Sequence, residues 1–341
     1  MRHLYVQFCL FSFLFFVSAL SFAANIRPVM IYDTNVIMDN SWNEVIHNGI
    51  VRFEQKMKID VEEVNIVDVP SFTEKVSKYV EEGYGPIMLN NVDSGKDVIL
   101  KEILYAYPQT RFIVFNGIFN IPNAFYFMFS YQESSFLAGY LASKKTKTNR
   151  LGFVGGMDIA TIRSFLCGYI SGARYYNPDI KVDWDFIGKD FLAWDRPEDA
   201  YQLALKQIDK GADIIFTPSG GSSIGALRAT HERGVLGIGV DSNQNHLFPG
   251  SVLTSALVKV DNAVFRALLA AQRNIWGDQI KTMGLQENGV GLAYDKYNAP
   301  LISEKLRNEV EAVKEKIILK EIKINNYVHD KQCNINGEVL F

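Results

Sequence analysis

Cysteine and histidine are scarce, three of the first and five of the second in 341 residues. That leaves little material for a disulfide-built scaffold or a metal centre. Cys9 lies inside an N-terminal apolar run, which leaves Cys167 and Cys333. The first reads as a helix residue and the second falls in the polar end of the chain, so no structural disulfide is expected between them. A charge excess of one sign is missing too. Lys plus Arg total 35 against 38 Asp plus Glu, a formal net charge of −3. With no basic face to neutralise phosphates, nucleic acid is excluded as a partner. Patterns that carry chemistry are also absent. His47, His231, His246 and His329 lack metal-ligand spacing, Gly221-Ser222-Ser223-Ile224-Gly225 is not a nucleophile elbow, and no phosphate-binding loop of the Walker type occurs. No cofactor is expected, and the chain is not expected to be an enzyme.

What the sequence does have begins at the N-terminus. Arg2 and His3 precede an almost unbroken apolar run from Leu4 to Phe22, and Ala23 and Ala24 follow. A basic start, an apolar stretch and a small-residue exit are the parts of a secretory signal peptide, so residues 1–24 are expected to be removed and the mature chain to reside in the periplasm. No cysteine directly follows the run to take a lipid, and no later stretch is apolar enough to cross a bilayer, so no direct membrane anchor is expected. The length left over exceeds a usual single core and predicts two domains.

Short apolar runs then alternate with segments of helical period. Pro28 to Tyr32, Val61 to Val67, Ile87 to Leu89 and Phe112 to Phe115 read as strands, with helices at Ser41 to Met57, Phe72 to Glu82 and near Val98 to Tyr107. After Asn123 the rhythm restarts, with strands at Leu151 to Val154, Lys181 to Phe186, Ile214 to Phe216 and Gly237 to Val240. This is the βαβ alternation of parallel sheets wrapped by helices, written twice: an α/β protein of two doubly wound units. From Asn325 on, the chain is polar and expected to be a loosely held tail.

In open α/β sheets, ligands sit beyond the carboxyl ends of the strands. The residues just past the apolar runs are Asp33, Asn90, Asn116 and Asp241, with Gly220 and Gly221 after another. Short hydrogen-bonding side chains and bare backbone suit a hydroxyl-rich ligand, although the same residues also collect after strands because they make turns. Ser41 and Glu44 have the spacing of a capping box, which starts a helix and leaves Trp42 and Asn43 in its first turn, at the ligand edge. Trp194 lies in a second polar loop in the later unit. Two indoles, one from each unit, would close on a flat ring.

Asp39-Asn40-Ser41-Trp42-Asn43 resembles the Asp-x-Ser-Phe-Asn signature of the basic membrane protein family, which includes purine nucleoside receptors of ABC transporters. Further segments resemble that family in order: Glu133 to Ala142, Gly152 to Asp158, Gly211 to Phe216, Gly239 to Asp241 and Leu253 to Ser255. The resemblance implies a type I periplasmic-binding-protein fold, two Rossmann-like lobes with parallel sheets joined by three crossovers. By that analogy the first lobe comprises 25–127 with 255–289, the second 128–254 with 290–324, and 325–341 is the tail. It also implies that Trp42 and Trp194 sandwich a purine, that Asn43 bonds the base, that Asp33 and Asp241 accept from ribose hydroxyls, and that Gly220 and Gly221 admit backbone N–H groups to the ligand. Three positions depart from the family: Trp42 stands at the more common Phe, Val258 at a frequent Lys, and Asn116 at a frequent Asp. The expected function is a monomeric receptor that passes a purine nucleoside or related flat heterocycle to an inner-membrane ABC permease by hinge closure. The alternatives are the ligand-binding partner of a periplasmic sensor or, from a different class, a nucleoside-cleaving enzyme.

Overall fold

The computed structural model describes residues 25–34, 36–66, 69–90, 97–117, 119–276, 280–335 and 337–341; the expected signal peptide lies outside them. The chain first lays down β1 (Val29–Tyr32), α1 (Trp42–Met57), β2 (Glu62–Asn65), α2 (Val69–Glu81), β3 (Ile87–Asn90), α3 (Asp97–Ala106), β4 (Phe112–Phe115) and β5 (Ala124–Phe129). It then builds α4 (Tyr131–Lys145), β6 (Arg150–Met157), α5 (Ala160–Tyr176), β7 (Lys181–Gly188), α6 (Pro197–Asp209), β8 (Ile214–Phe216), α7 (Ser223–Glu232), β9 (Leu236–Asp241) and β10 (Val252–Val258). Next come α8 (Val260–Gln272), β11 (Ile280–Met283), β12 (Val290–Leu292), α9 (Glu304–Ile318), α10 (Tyr327–Asp330), β13 (Asn334–Ile335) and β14 (Glu338–Val339).

The first sheet has the order β11-β5-β4-β3-β1-β2 and is parallel throughout. The second runs β12-β10-β9-β8-β6-β7 and is parallel except for the β10–β12 pair. Alternate residues of β1 serve opposite cores: Val29 and Ile31 pack with Phe72 and Leu100, while Met30 and Tyr32 pack with Ile46, Ile50 and Phe53 of α1. A sheet buried on both faces needs such near-continuous apolar strands. The chain crosses between the sheets three times, at β5–α4, β10–α8 and β11–β12, the type I arrangement. β5 extends to Phe129 and β10 stays in the second sheet through Val258. Each strand therefore runs a few residues past the expected switches at 127 and 254, because Met128 and Phe129 go on pairing with β11 and residues 255–258 with β9 and β12.

Within the second lobe, α4 and α5 lie unusually close. A Cβ at Gly139 would collide with the Tyr169 carbonyl oxygen, and one at Gly172 with that of Phe136. Glycine at these positions lets the two backbones touch.

The C-terminal segment overturns two expectations. Cys167 of α5 and Cys333 form a disulfide with Cα atoms 5.6 Å apart, and both are fully buried. The tail is correspondingly packed against the second lobe: Arg174 pairs with Glu338 at 2.8 Å, and the Phe341 ring meets those of Trp184 and Tyr327 at a tilt. Linear sequence places these cysteines 166 residues apart; only the return of the chain over α5 brings them together.

Candidate functional site

The strands of each sheet end on a shared cleft. Asp33 follows β1, Asn90 ends β3 and Asn116 follows β4; opposite them Gly220 follows β8 and Asp241 ends β9. Asn116 and Asp241 have φ of 61° and 60°, a left-handed conformation that Asn and Asp tolerate and that turns the chain sharply at the cleft wall. The cleft encloses about 940 Å³, including the part open to solvent. Trp42 and Trp194 both line it, one from each lobe, as do Asn43, Asn90 and Asn116.

The start of α1 differs from the expected capping box. Ser41 makes no side-chain cap. Asp39 does the work: Oδ1 accepts from the N–H groups of Ser41 (2.8 Å) and Glu44 (3.2 Å), while Oδ2 accepts from the Asn43 N–H (3.3 Å) and Nδ2 (2.8 Å). Glu44 reaches back to the Asn40 N–H at 3.0 Å. A carboxylate outcompetes a hydroxyl for helix N-terminal donors because it accepts several at once and complements the helix dipole. The Ser41 hydroxyl is thereby released to donate across the cleft to Asp241 Oδ2 at 2.5 Å. Asn43, expected on the base, is held by Asp39.

Asp241 is therefore part of a clasp between the lobes. Beside it, Ser242 Oγ donates to the Asn40 carbonyl at 2.5 Å, and the buried Gln244 donates to the same carbonyl at 3.0 Å. Burial pushes the Asp241 carboxyl up to about 7; the Ser41 hydroxyl opposes the rise and the Asp39 carboxylate adds to it. Burial likewise raises Asp39, against the pull of its four donors.

The indoles are set differently. Trp194 lies flat on β6, where a Cβ at Gly156 would collide with its six-membered ring. Trp42 meets Phe129 edge-on, with ring centroids 5.7 Å apart, and its buried Nε1 has no acceptor among the described residues. Asn90 Oδ1 is also buried without a partner there, while its Nδ2 donates to Asp33 at 3.4 Å. Gly221 does not line the cleft. A Cβ there would crowd the Trp194 carbonyl and meet Asp39 of the facing lobe, so the glycine sits at the contact between lobes.

Residues 26–327 match the family described as "ABC transporter substrate-binding protein PnrA-like", Bmp. The chain belongs to that family. It is 28% identical over 310 residues to basic membrane protein A2 of Borrelia garinii subsp. bavariensis, covering 89% of each chain. It is 36% identical over 198 residues to basic membrane protein D of Borreliella burgdorferi, covering 55% of this chain and 56% of that one. Among solved structures, an ABC transporter solute-binding protein from Aeropyrum pernix K1 superposes with a TM-score of 0.79 at 23% identity, covering 88% of this chain and 93% of that one.

In this Bmp family member the sequence reading missed much of the cleft lining. Tyr131 enters from the first turn of α4 and donates to Asn116 Oδ1 at 2.5 Å. Thr161, Ile162 and Phe165 come from α5, and Phe191 and Leu192 precede Trp194. Asp39 lies in a segment that already resembled the family, but a lone Asp reads as a turn, and an apolar helix residue such as Phe165 reads as core. Among the described residues no helix is long and apolar enough to cross a membrane.

Proposed function

We propose that this chain is a periplasmic receptor that binds a purine nucleoside or a related flat heterocycle and delivers it to an ABC permease by hinge closure, as a non-catalytic monomer. The observation that carries the reading is the indole supplied to one cleft from each lobe. A flat ring between them would bury both faces, and the carboxylates and amides at the strand ends would take its polar edge and sugar. Asp33 and Asp241 are the proposed ribose acceptors; Asn43, Asn90 and Asn116 bound the base; Gly220 lets backbone approach. Because Trp42 and Trp194 belong to different lobes, ligand contacts made by both exist only in the closed form, which makes binding and closure one equilibrium.

Tryptophan emission titrated with nucleosides tests this reading directly. Trp42→Ala or Trp194→Ala is expected to weaken binding by about 1–3 kcal/mol, the range of base–aromatic stacking. Unchanged affinity in both variants would remove the sandwich.

A further inference from the structure

The cleft holds more carboxyl groups than a neutral ring needs. Asp39, Asp195 and Asp241 line it together with Asp33, and no described lining residue is Lys, Arg or His. Asp39 and Asp241 are only 7% and 9% exposed. Nearby basic groups are committed elsewhere: Arg163 to Asp158 and the rings of Tyr327 and Phe341, Arg196 to Asp190, and His47 to Glu63. Asp39 has four donors from its own loop and helix, but among the described residues Asp241 is met only by the Ser41 hydroxyl and the Trp42 backbone N–H. Two carboxylates in a shielded space without a counter-charge are costly, and a ligand that brings one relieves that cost.

The apolar side of the cleft has the same bias. Indole faces attract cations more strongly than other aromatic faces do. Elsewhere the protein uses such contacts freely, as with Arg111 over Trp276 at 5.1 Å. No described basic side chain stands over Trp42 or Trp194, so both faces are left to whatever enters the cleft.

We propose that the cleft selects flat heterocycles bearing a delocalised positive charge, such as ring-N-alkylated purine nucleosides, over their neutral isosteres, and rejects phosphorylated ones. The inference rests on the reading that a nucleoside-like ring enters between the two indoles. A delocalised charge is suited to this site because it sheds water more cheaply than a compact ammonium and spreads over both indole faces while facing the carboxylates.

The test uses the purified protein at neutral pH with three ligands: adenosine, its neutral exocyclic-N-methyl derivative, and its cationic ring-N-methyl derivative, with adenosine monophosphate as a fourth. Calorimetric titration is expected to show the cation bound on the order of 10-fold tighter than the neutral methyl isomer, and the monophosphate not bound. Asp241→Asn should bring the ratio of the two methyl isomers close to one. Asp195→Asn, at an exposed position that does not bear on folding, should lower it part of the way. Adenosine bound with the cation equal or weaker overturns this inference and leaves the nucleoside reading standing. A ratio unmoved by both variants overturns the role of the carboxylates, and with it the inference. No binding of any of the nucleosides overturns both readings.

Discussion

The two walls of the cleft are built on different principles. The first lobe contributes polar groups at strand ends and the cap of α1: Asp33, Asp39, Asn43, Asn90 and Asn116, with one indole. The second contributes mostly apolar surface, Ile162, Phe165, Leu192, Trp194, Pro218 and Val240, with Asp241 at the boundary. Their foundations differ as well. The first wall is held by hydrogen bonds converging on one carboxylate, Asp39. The second stands on α5, which is pressed onto α4 by glycines and fastened to the C-terminal segment by a disulfide. An apolar wall facing a polar one suits the flat ligand proposed above, which would offer its faces to the first and its edges to the second.

The comparison is broken most severely from the second lobe. Replacing Cys333 with Ser frees a loop of 166 residues and is expected to cost about 3–5 kcal/mol of stability, read as a lower denaturation midpoint that reductant no longer shifts. A midpoint equal to the wild type would detach the tail from the foundation of α5. Next in size, Gly172→Ala forces α4 and α5 apart against the Phe136 carbonyl and should cost about 1–3 kcal/mol; a neutral effect in thermal unfolding would mean that the helices slide freely.

The first lobe is sharpened by smaller changes. Asp39→Ala removes the acceptor for four donors at the head of α1 and should cost about 1–2 kcal/mol, together with a loss of ligand affinity, since Trp42 and Asn43 sit in that turn. Stability lost without affinity lost would separate the cap from the site. A separate probe is pH. Asp241 holds its proton more tightly in the folded chain, about 7 against about 4 unfolded, so stability is greatest at the acid end and falls as pH rises through that window. Asp39 and Glu133, both raised by burial, add slope of the same sign. Asp241→Asn should flatten part of the decline, which thermal unfolding between those limits would measure; an unchanged slope would place the titration elsewhere.

The strand ends that face the cleft were legible because apolar runs stop abruptly at Asp33, Asn90, Asn116 and Asp241. Edge strands were not. In β11 three of the four residues are exposed and β12 is three residues long, so neither carries a burial pattern to read. β5, Ala124–Phe129, was hidden by its place just before the crossover into the second lobe. The capping box misled because Ser41 and Glu44 have the right spacing, while the stronger acceptor two residues upstream decided the geometry. Gly221 misled in the opposite way, since bare backbone serves a lobe contact as well as a ligand.

Local sequence by itself determined the two α/β units, the positions of the cleft-facing strand ends and the pair of indoles, because burial on both sheet faces imposes an apolar code residue by residue. Tertiary structure alone decided that Cys167 meets Cys333, that Ser41 turns away from its own helix toward Asp241, and that α5 with Tyr131 completes the cleft. Those contacts join residues far apart in the chain, and each depends on how two separately coded surfaces are brought face to face.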